Sequence, residues 1–191
     1  KFVILHSKKQ MKNIVVYCAS SDRVAPLYIQ TAYKTGELIA RSGYGLVCGG
    51  GSEGLMGAAI DGTLKAGGKA IGVIPKFMVD NGWCHGNLSE AIVTDTMHIR
   101  KETMASMSEA AIALPGGIGT LEELAEIMTW RQLGIFRKPV VLVNTDGFYK
   151  PLIEMFDKMN ALGFMRDDAV PCVVVSTPQE AIDVISRYYR Q

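Results

Sequence analysis

Short unbroken apolar runs recur along the chain, each closed by glycine, proline or serine, and they alternate with longer stretches of helical period. Runs of this kind read as strands buried on both faces, and the intervening stretches as amphipathic helices. Strands are expected at Asn13–Ala19, Tyr44–Cys48, Lys69–Ile74, Ala91–Thr94, Ala110–Leu114, Pro139–Asn144 and Cys172–Ser176. Helices are expected from Pro26 to about Ser42, Leu55–Ala66, Met97–Ser108, Thr120–Leu133, Tyr149–Leu162 and from Pro178 to about Tyr189. Pro26 and Pro178 suit a first helical turn, Gly43 and Gly67 suit helix ends, and Thr177 with Glu180 has the spacing of a capping box. Asp95 or Thr96 can cap the helix from Met97, and 75–87 is expected to be an irregular rim loop around Trp83, Cys84 and His85. The regular alternation gives a single doubly wound, Rossmann-like α/β domain over 11–191 with a mainly parallel sheet flanked by helices. Residues 1–10, ahead of Met11, are expected to be a leader or expression remnant and are left out of the fold.

In such a sheet ligands bind beyond the carboxyl ends of the strands. Three polar or glycine-rich loops follow expected strands: Ser20-Ser21, Gly49-Gly50-Gly51-Ser52-Glu53-Gly54 and Pro115-Gly116-Gly117-Ile118-Gly119. They should converge on one edge. The last stands between a strand and a helix, so its free N–H groups can cradle phosphate at a positive helix end; the alternative is a simple turn. Thr120 is expected to cap that helix, with Glu122 and Glu123 in its first turn and Leu121, Leu124, Ala125 and Met128 as its apolar stripe. The acids could be dipole partners only, or Glu123 could face the sugar of a bound nucleotide. Arg100 shares a helix face with Met97, Met104 and Met107. A cation on that face either snorkels outward or has a buried task beside the phosphate loop. No G-x-G-x-x-G follows the first strand and no acid stands at the ribose-reading distance, so a mononucleotide fits better than a dinucleotide.

Composition narrows the classes. The chain has 191 residues, 48% of them hydrophobic, and 20 basic against 19 acidic side chains. That balance gives no electrostatic case for nucleic acid or an anionic membrane, and no apolar run approaches the roughly 20 residues that span a bilayer. The cysteines, Cys18, Cys48, Cys84 and Cys172, are scattered without a C-x-x-C. They fit reduced thiols in a cytoplasmic protein, with no metal and no cofactor expected.

These residues carry a resemblance. Pro115-Gly116-Gly117-Ile118-Gly119-Thr120-Leu121-Glu122-Glu123 resembles the P-G-G-x-G-T-x-x-E motif of the Lonely Guy proteins, the cytokinin riboside 5′-monophosphate phosphoribohydrolases. Met97-His98-Ile99-Arg100-Lys101 resembles their M-H-x-R-K, and Gly49-Gly50-Gly51 and Thr129-Trp130 also match, over a span from Met11 to the C-terminus. The resemblance implies an N-glycosidase acting on a nucleoside 5′-monophosphate, with Arg100 and Glu123 as catalytic pair. It implies substrate contacts by Lys101, Gly117, Ile118, Gly119, Thr120, Leu121, Glu122 and Thr129, and the three converging loops add Ser20, Gly50, Gly51 and Gly116 as expected contacts. It also implies a homodimer with the sites at its interface, to which the apolar flanks of the helices from Met97 and Thr120 would contribute; the alternative is that helices of the same chain cover them. The chain departs from the family at Gly82, where plant members place an acid that meets the base, and at Ile118, where tyrosine is commoner. Two other functions are compatible with the fold: a non-catalytic nucleotide or molybdenum-cofactor binding protein, and a pyridoxal-dependent lysine decarboxylase, the family's former label.

Overall fold

The central apolar runs become strands because helices cover both of their faces, while the edge runs Glu90–Thr94 and Val173–Val175 stay largely exposed. The computed structural model describes residues 12–165 and 170–190. The expected leader and Met11 lie outside the described residues. The elements are β1 (Asn13–Tyr17), α1 (Pro26–Arg41), β2 (Gly45–Cys48), α2 (Gly54–Lys65), β3 (Ala70–Pro75), α3 (Lys76–Asp80), β4 (Glu90–Thr94), α4 (Met97–Ser106), β5 (Ala110–Ala113), α5 (Ile118–Gln132), β6 (Val140–Val143), α6 (Lys150–Ala161), β7 (Val173–Val175) and α7 (Pro178–Tyr188). All seven strands pair in parallel, in the order β4-β3-β2-β1-β5-β6-β7.

Alternate residues of each strand enter different cores. Ile14, Val16 and Cys18 pack with Ile39 of α1, Leu55 and Ile60 of α2, and Ile182 and Ile185 of α7. Val15 and Tyr17 pack on the other side with Met104 of α4, Leu124, Ile127 and Met128 of α5, and Tyr149 ahead of α6. The chain winds outward from β1 to β4, then α4 carries it back to β5 beside β1. The connections after β1 and β5 therefore leave in opposite directions. The crevice between them is the topological switch point, where open α/β sheets take their ligands.

Three local expectations are corrected and one open alternative is resolved. The stretch 75–87 is not wholly irregular: it holds α3, a single turn closed by Lys76 and Asp80 at 2.9 Å, and Cys84 bridges to Gly51. Thr96, rather than Asp95, caps α4, its hydroxyl accepting from Ile99 N–H at 3.2 Å. Thr120 is not the cap of α5. That helix begins at Ile118 with Gly117 as N-cap and no side-chain cap, because the extended conformation a cap requires falls on Gly117. Glu122 and Glu123 consequently stand in the second turn, where the helix dipole gives them little. Finally, the buried stripe of α5 is Thr120, Glu123, Leu124, Ile127 and Met128, while Ala125 is exposed and Leu121 half-buried.

Candidate active site

The switch point opens into a cavity of about 530 Å³, a size suited to a nucleotide-like ligand. Its walls come from every loop at the carboxyl edge between β3 and β5: Cys18 to Ser21 after β1, Gly49 and Gly51 to Glu53 after β2, Ile74 at the end of β3, and Gly117, Gly119 and Thr120 after β5. Met97 and Arg100 of α4 and Glu122 and Glu123 of α5 close one side, and Met78, Gly82 and Trp83 close another. The loops after β1 and β2 are tied together. Met56 N–H donates to the Ala19 carbonyl at 3.1 Å, and Gly54, at φ +61°, lies so close that a Cβ there would come within 2.5 Å of the Ser21 carbonyl oxygen. Only glycine fits such an approach.

Arg100 and Glu123 meet at the bottom of the cavity. Arg100 is 5% and Glu123 8% exposed. Arg100 Nη1 donates to Glu123 Oε1 at 3.0 Å, and Arg100 Nε donates to the Val73 carbonyl of β3 at 3.0 Å. The guanidinium is thereby fixed in plane and direction, which rules out the outward-snorkelling alternative. Gly49 makes room for it, since a Cβ at that position would lie 2.0 Å from Arg100 Nη2. Burial pushes the Glu123 carboxyl up to about 6, against the opposing pull of Arg100 and with a further push from Glu122. A carboxylate that ionises close to neutrality, lodged in a cavity, is the state in which a side chain exchanges protons readily. Neighbouring Tyr17 is pushed the other way from reactivity: burial and the charges of Glu123 and Glu126 keep its phenol protonated.

The start of α5 provides the complementary charge. With no side-chain cap, the N–H groups of its first turn have no partner within the helix, and Leu121 N–H is the first to close on Gly117 at 3.0 Å. Gly117 and Gly119 line the cavity, and a Cβ at either would meet nothing. Gly116 is needed for the turn itself, because a Cβ there would come within 2.1 Å of Thr120 Oγ1. Leu114, just before the loop, is held by Tyr149, whose hydroxyl donates to its carbonyl at 2.6 Å. The result is a rigid turn with free donors at a positive helix end, suited to a phosphate.

Of the residues singled out from sequence, the cavity brings together Ser20, Gly51, Arg100, Gly117, Gly119, Thr120, Glu122 and Glu123. Others stand elsewhere in this chain. Lys101 is buried between α4 and α5, paired to Glu122 and, at 3.2 Å, to Glu126. Thr129 is exposed further along α5, its hydroxyl donating to the Ala125 carbonyl at 2.8 Å. Gly50, at φ +75°, and Gly116 shape the loops from behind, Leu121 is half-buried, and Ile118 is 82% exposed. Gly49 and Trp83 stood in loops expected at the ligand edge or its rim, but were not named as site residues; Met56, Ile74 and Met78 were passed over altogether. Ile74 could have been found from its position at the end of β3, whereas Met56 and Met78 carried no such signal because they stand in helices. Among the described residues no cluster of three or more His, Cys, Asp or Glu is placed to hold a metal ion, and no helix is long and apolar enough to cross a membrane.

The chain is similar over most of its length to known proteins. The family model described as "Possible lysine decarboxylase" matches residues 56–185. A probable cytokinin riboside 5′-monophosphate phosphoribohydrolase of Oryza sativa subsp. japonica is 42% identical, over 96% of this chain and 76% of its own. A cytokinin riboside 5′-monophosphate phosphoribohydrolase of Arabidopsis thaliana is 42% identical, over 90% of this chain and 79% of its own. Among solved structures, the molybdenum cofactor carrier protein of Chlamydomonas reinhardtii superposes with a TM-score of 0.74 at 27% identity, over 95% of this chain and 100% of its own. The molybdenum cofactor binding protein of Rippkaea orientalis gives a TM-score of 0.72 at 27% identity, over 94% and 99%.

Proposed function

We propose a reaction from one premise: the chain belongs to the Lonely Guy family of cytokinin riboside 5′-monophosphate phosphoribohydrolases. It is a nucleoside 5′-monophosphate phosphoribohydrolase. The substrate's C1′–N bond breaks, water adds at C1′, and the products are free base and ribose 5-phosphate. The observation that carries the assignment of roles is the buried Arg100–Glu123 pair beside the uncapped turn of α5.

The phosphate is held by the N–H groups of the first turn of α5, which anchors the ribose over the carboxylate and removes much of the entropic cost of alignment. As the glycosidic bond stretches, positive charge develops at C1′ and the ring oxygen. Glu123 in its ionised form stabilises that charge and orients the attacking water, accepting its proton as the C1′–O bond forms; the base leaves with the electron pair of the broken bond and takes up one proton, which regenerates the carboxylate. Arg100 keeps the carboxylate pointed at the cavity, using the Val73 carbonyl as a second anchor. Release of ribose 5-phosphate from AMP, followed chromatographically, tests the reading. Binding of AMP without any release overturns it in favour of the non-catalytic alternative that the molybdenum-cofactor proteins suggest.

The decarboxylase label fits the residues less well. Schiff-base chemistry needs a lysine that sheds its proton. Burial works to lower the pKa of Lys101, but Glu122 and Glu126 outweigh it and hold the ammonium above its ordinary value.

We assign the homodimer to the faces of α4 and α5 that this chain leaves open. Ile127 of α5 is buried in the chain's own core and takes no part. Ile99 (46% exposed), Leu133 (53%) and Ile135 (67%) remain at the surface and support a partner there. Light scattering should give twice the chain mass at micromolar concentration; a fully active monomer would refute the assignment.

A further inference from the structure

The geometry points to Trp83 as the platform on which the base of the substrate stacks, and to a base site that reads purine rings by shape and not by their hydrogen-bonding edges. This rests on the nucleotide reading above and goes further, to the residue and the breadth of its selectivity.

Phosphate is held after β5, and the segment carrying Trp83 leaves from β3. The order β3-β2-β1-β5 puts these points three strand spacings apart, roughly 14 Å at about 4.8 Å per spacing. That is the reach from the phosphate to the far side of the base in an extended nucleotide. Arg100, bonded to Val73 of β3 and to Glu123 of α5, spans the interval between them. A substrate with its phosphate on α5 and its C1′ over Glu123 therefore extends its base toward the end of β3. The walls there are Ile74, Met78, Gly82, Trp83 and Met97.

Trp83 is 53% exposed although it lines the cavity. Its backbone is nonetheless fixed. The Trp83 carbonyl accepts from Ser52 N–H at 3.0 Å, its N–H donates to the Met78 carbonyl at 3.1 Å, and His85 N–H donates to the Gly50 carbonyl at 2.8 Å. The side chain of His85 lies 3.2 Å from Asp61 of α2, a second tie to the scaffold. A large aromatic surface left open on a pinned backbone is preorganised for stacking, which is tolerant of base identity because every base has a π-face. These five carry no charged, amide or hydroxyl side chain, and the polar side chains beside them on the wall, Ser52 and Glu53, are exposed to solvent. Strong rejection of a related base needs a buried polar partner left unmatched, and these side chains supply none.

The test uses Trp83 as its own reporter. The chain has two tryptophans, so Trp130→Phe leaves Trp83 as the only indole. Adding Glu123→Gln keeps AMP intact during titration. AMP should quench the emission saturably, whereas ribose 5-phosphate should compete for the site without quenching. Trp83→Ala should weaken AMP binding about tenfold by calorimetry and leave ribose 5-phosphate unchanged, and Trp83→Phe should stay within about threefold of wild type. GMP and IMP should bind within about tenfold of AMP. Equal weakening of AMP and ribose 5-phosphate, unquenched binding of AMP, or rejection of GMP by more than a hundredfold each overturns the proposal. Should Trp83→Ala not fold, the quenching and the Trp83→Phe affinities decide. Absence of AMP hydrolysis by the wild type would instead strike the phosphoribohydrolase reading, leaving the binding comparison to judge Trp83.

Discussion

Glu123→Gln should raise the stability of the protein relative to wild type as the pH rises, while abolishing most of its activity. The carboxyl has an ordinary value of 4.5 and is pushed up to about 6 in the fold, chiefly by burial. At about 1.36 kcal/mol per pKa unit, ionising it costs about 2 kcal/mol more in the folded than in the unfolded chain. The sign follows from proton linkage. Between pH 4.5 and 6 the folded state holds more protons than the unfolded one, so stability falls as pH rises through that window and levels off above it. The amide of glutamine does not titrate and keeps an oxygen for Arg100. Urea denaturation of both proteins at intervals from pH 4.5 to 8 gives two curves whose difference isolates this group. Loss of the Arg100 ion pair enters as an offset, and the titration enters as the slope. The difference should move by about 2 kcal/mol in favour of the variant between pH 4.5 and 7. In the same window kcat/KM of the wild type should rise with the ionised carboxylate, with an apparent pKa of about 6, and the variant should lose a factor of about 10² to 10⁴. A difference curve that is flat, or that climbs in favour of the wild type, would show that Glu123 is not held against its own ionisation, and the reasoning would fail with it.

Arg100→Lys keeps the charge but cannot bridge Val73 and Glu123 at once, so turnover of AMP should fall at least a hundredfold with an unchanged circular dichroism spectrum; normal kinetics would remove Arg100 from the mechanism. Gly49→Ala places a methyl on the guanidinium, 2.0 Å from Nη2, and should cost activity of similar order by displacing it, which steady-state assays beside a thermal melt would separate from unfolding. Thr96→Ala removes the only side-chain cap of α4 and should lower stability by about 1 kcal/mol in urea without changing the identity of the products.

The fold was legible because the sheet is buried on both sides. Val15 and Val16 enter different cores, so β1 has no polar face, and the strands stand out as unbroken runs against amphipathic helices. The alternation then fixes a parallel sheet, and the sheet fixes the edge at which Ser20, Gly51 and Gly117 meet. What stayed hidden was local. Pattern alone could not place the start of α5, because a threonine three residues after Gly117 is as good a sequence cap as a glycine in extended conformation is a structural one. The short helix α3 buries none of its residues and so leaves no period to read.

The site shows the same division for a different reason. Arg100 was conspicuous because a cation among methionines contradicts the face it stands on, and that contradiction is resolved only by a buried partner. Lys101 stood beside it with equal claim, yet the helix turns it toward Glu122 and Glu126, where it braces α4 against α5. The two cations of one dipeptide thus divide the work. One orients the acid inside the cavity, and the other holds the helix that presents the acid. Glu122 belongs to both arrangements, lining the cavity while pairing with Lys101. Its charge also raises the pKa of Glu123, so the brace that fixes α5 bears on the proton affinity of the Glu123 carboxyl. Spacing can say that two charged residues lie near a helix face. It takes the packing of a second helix to decide which of them turns into the cavity.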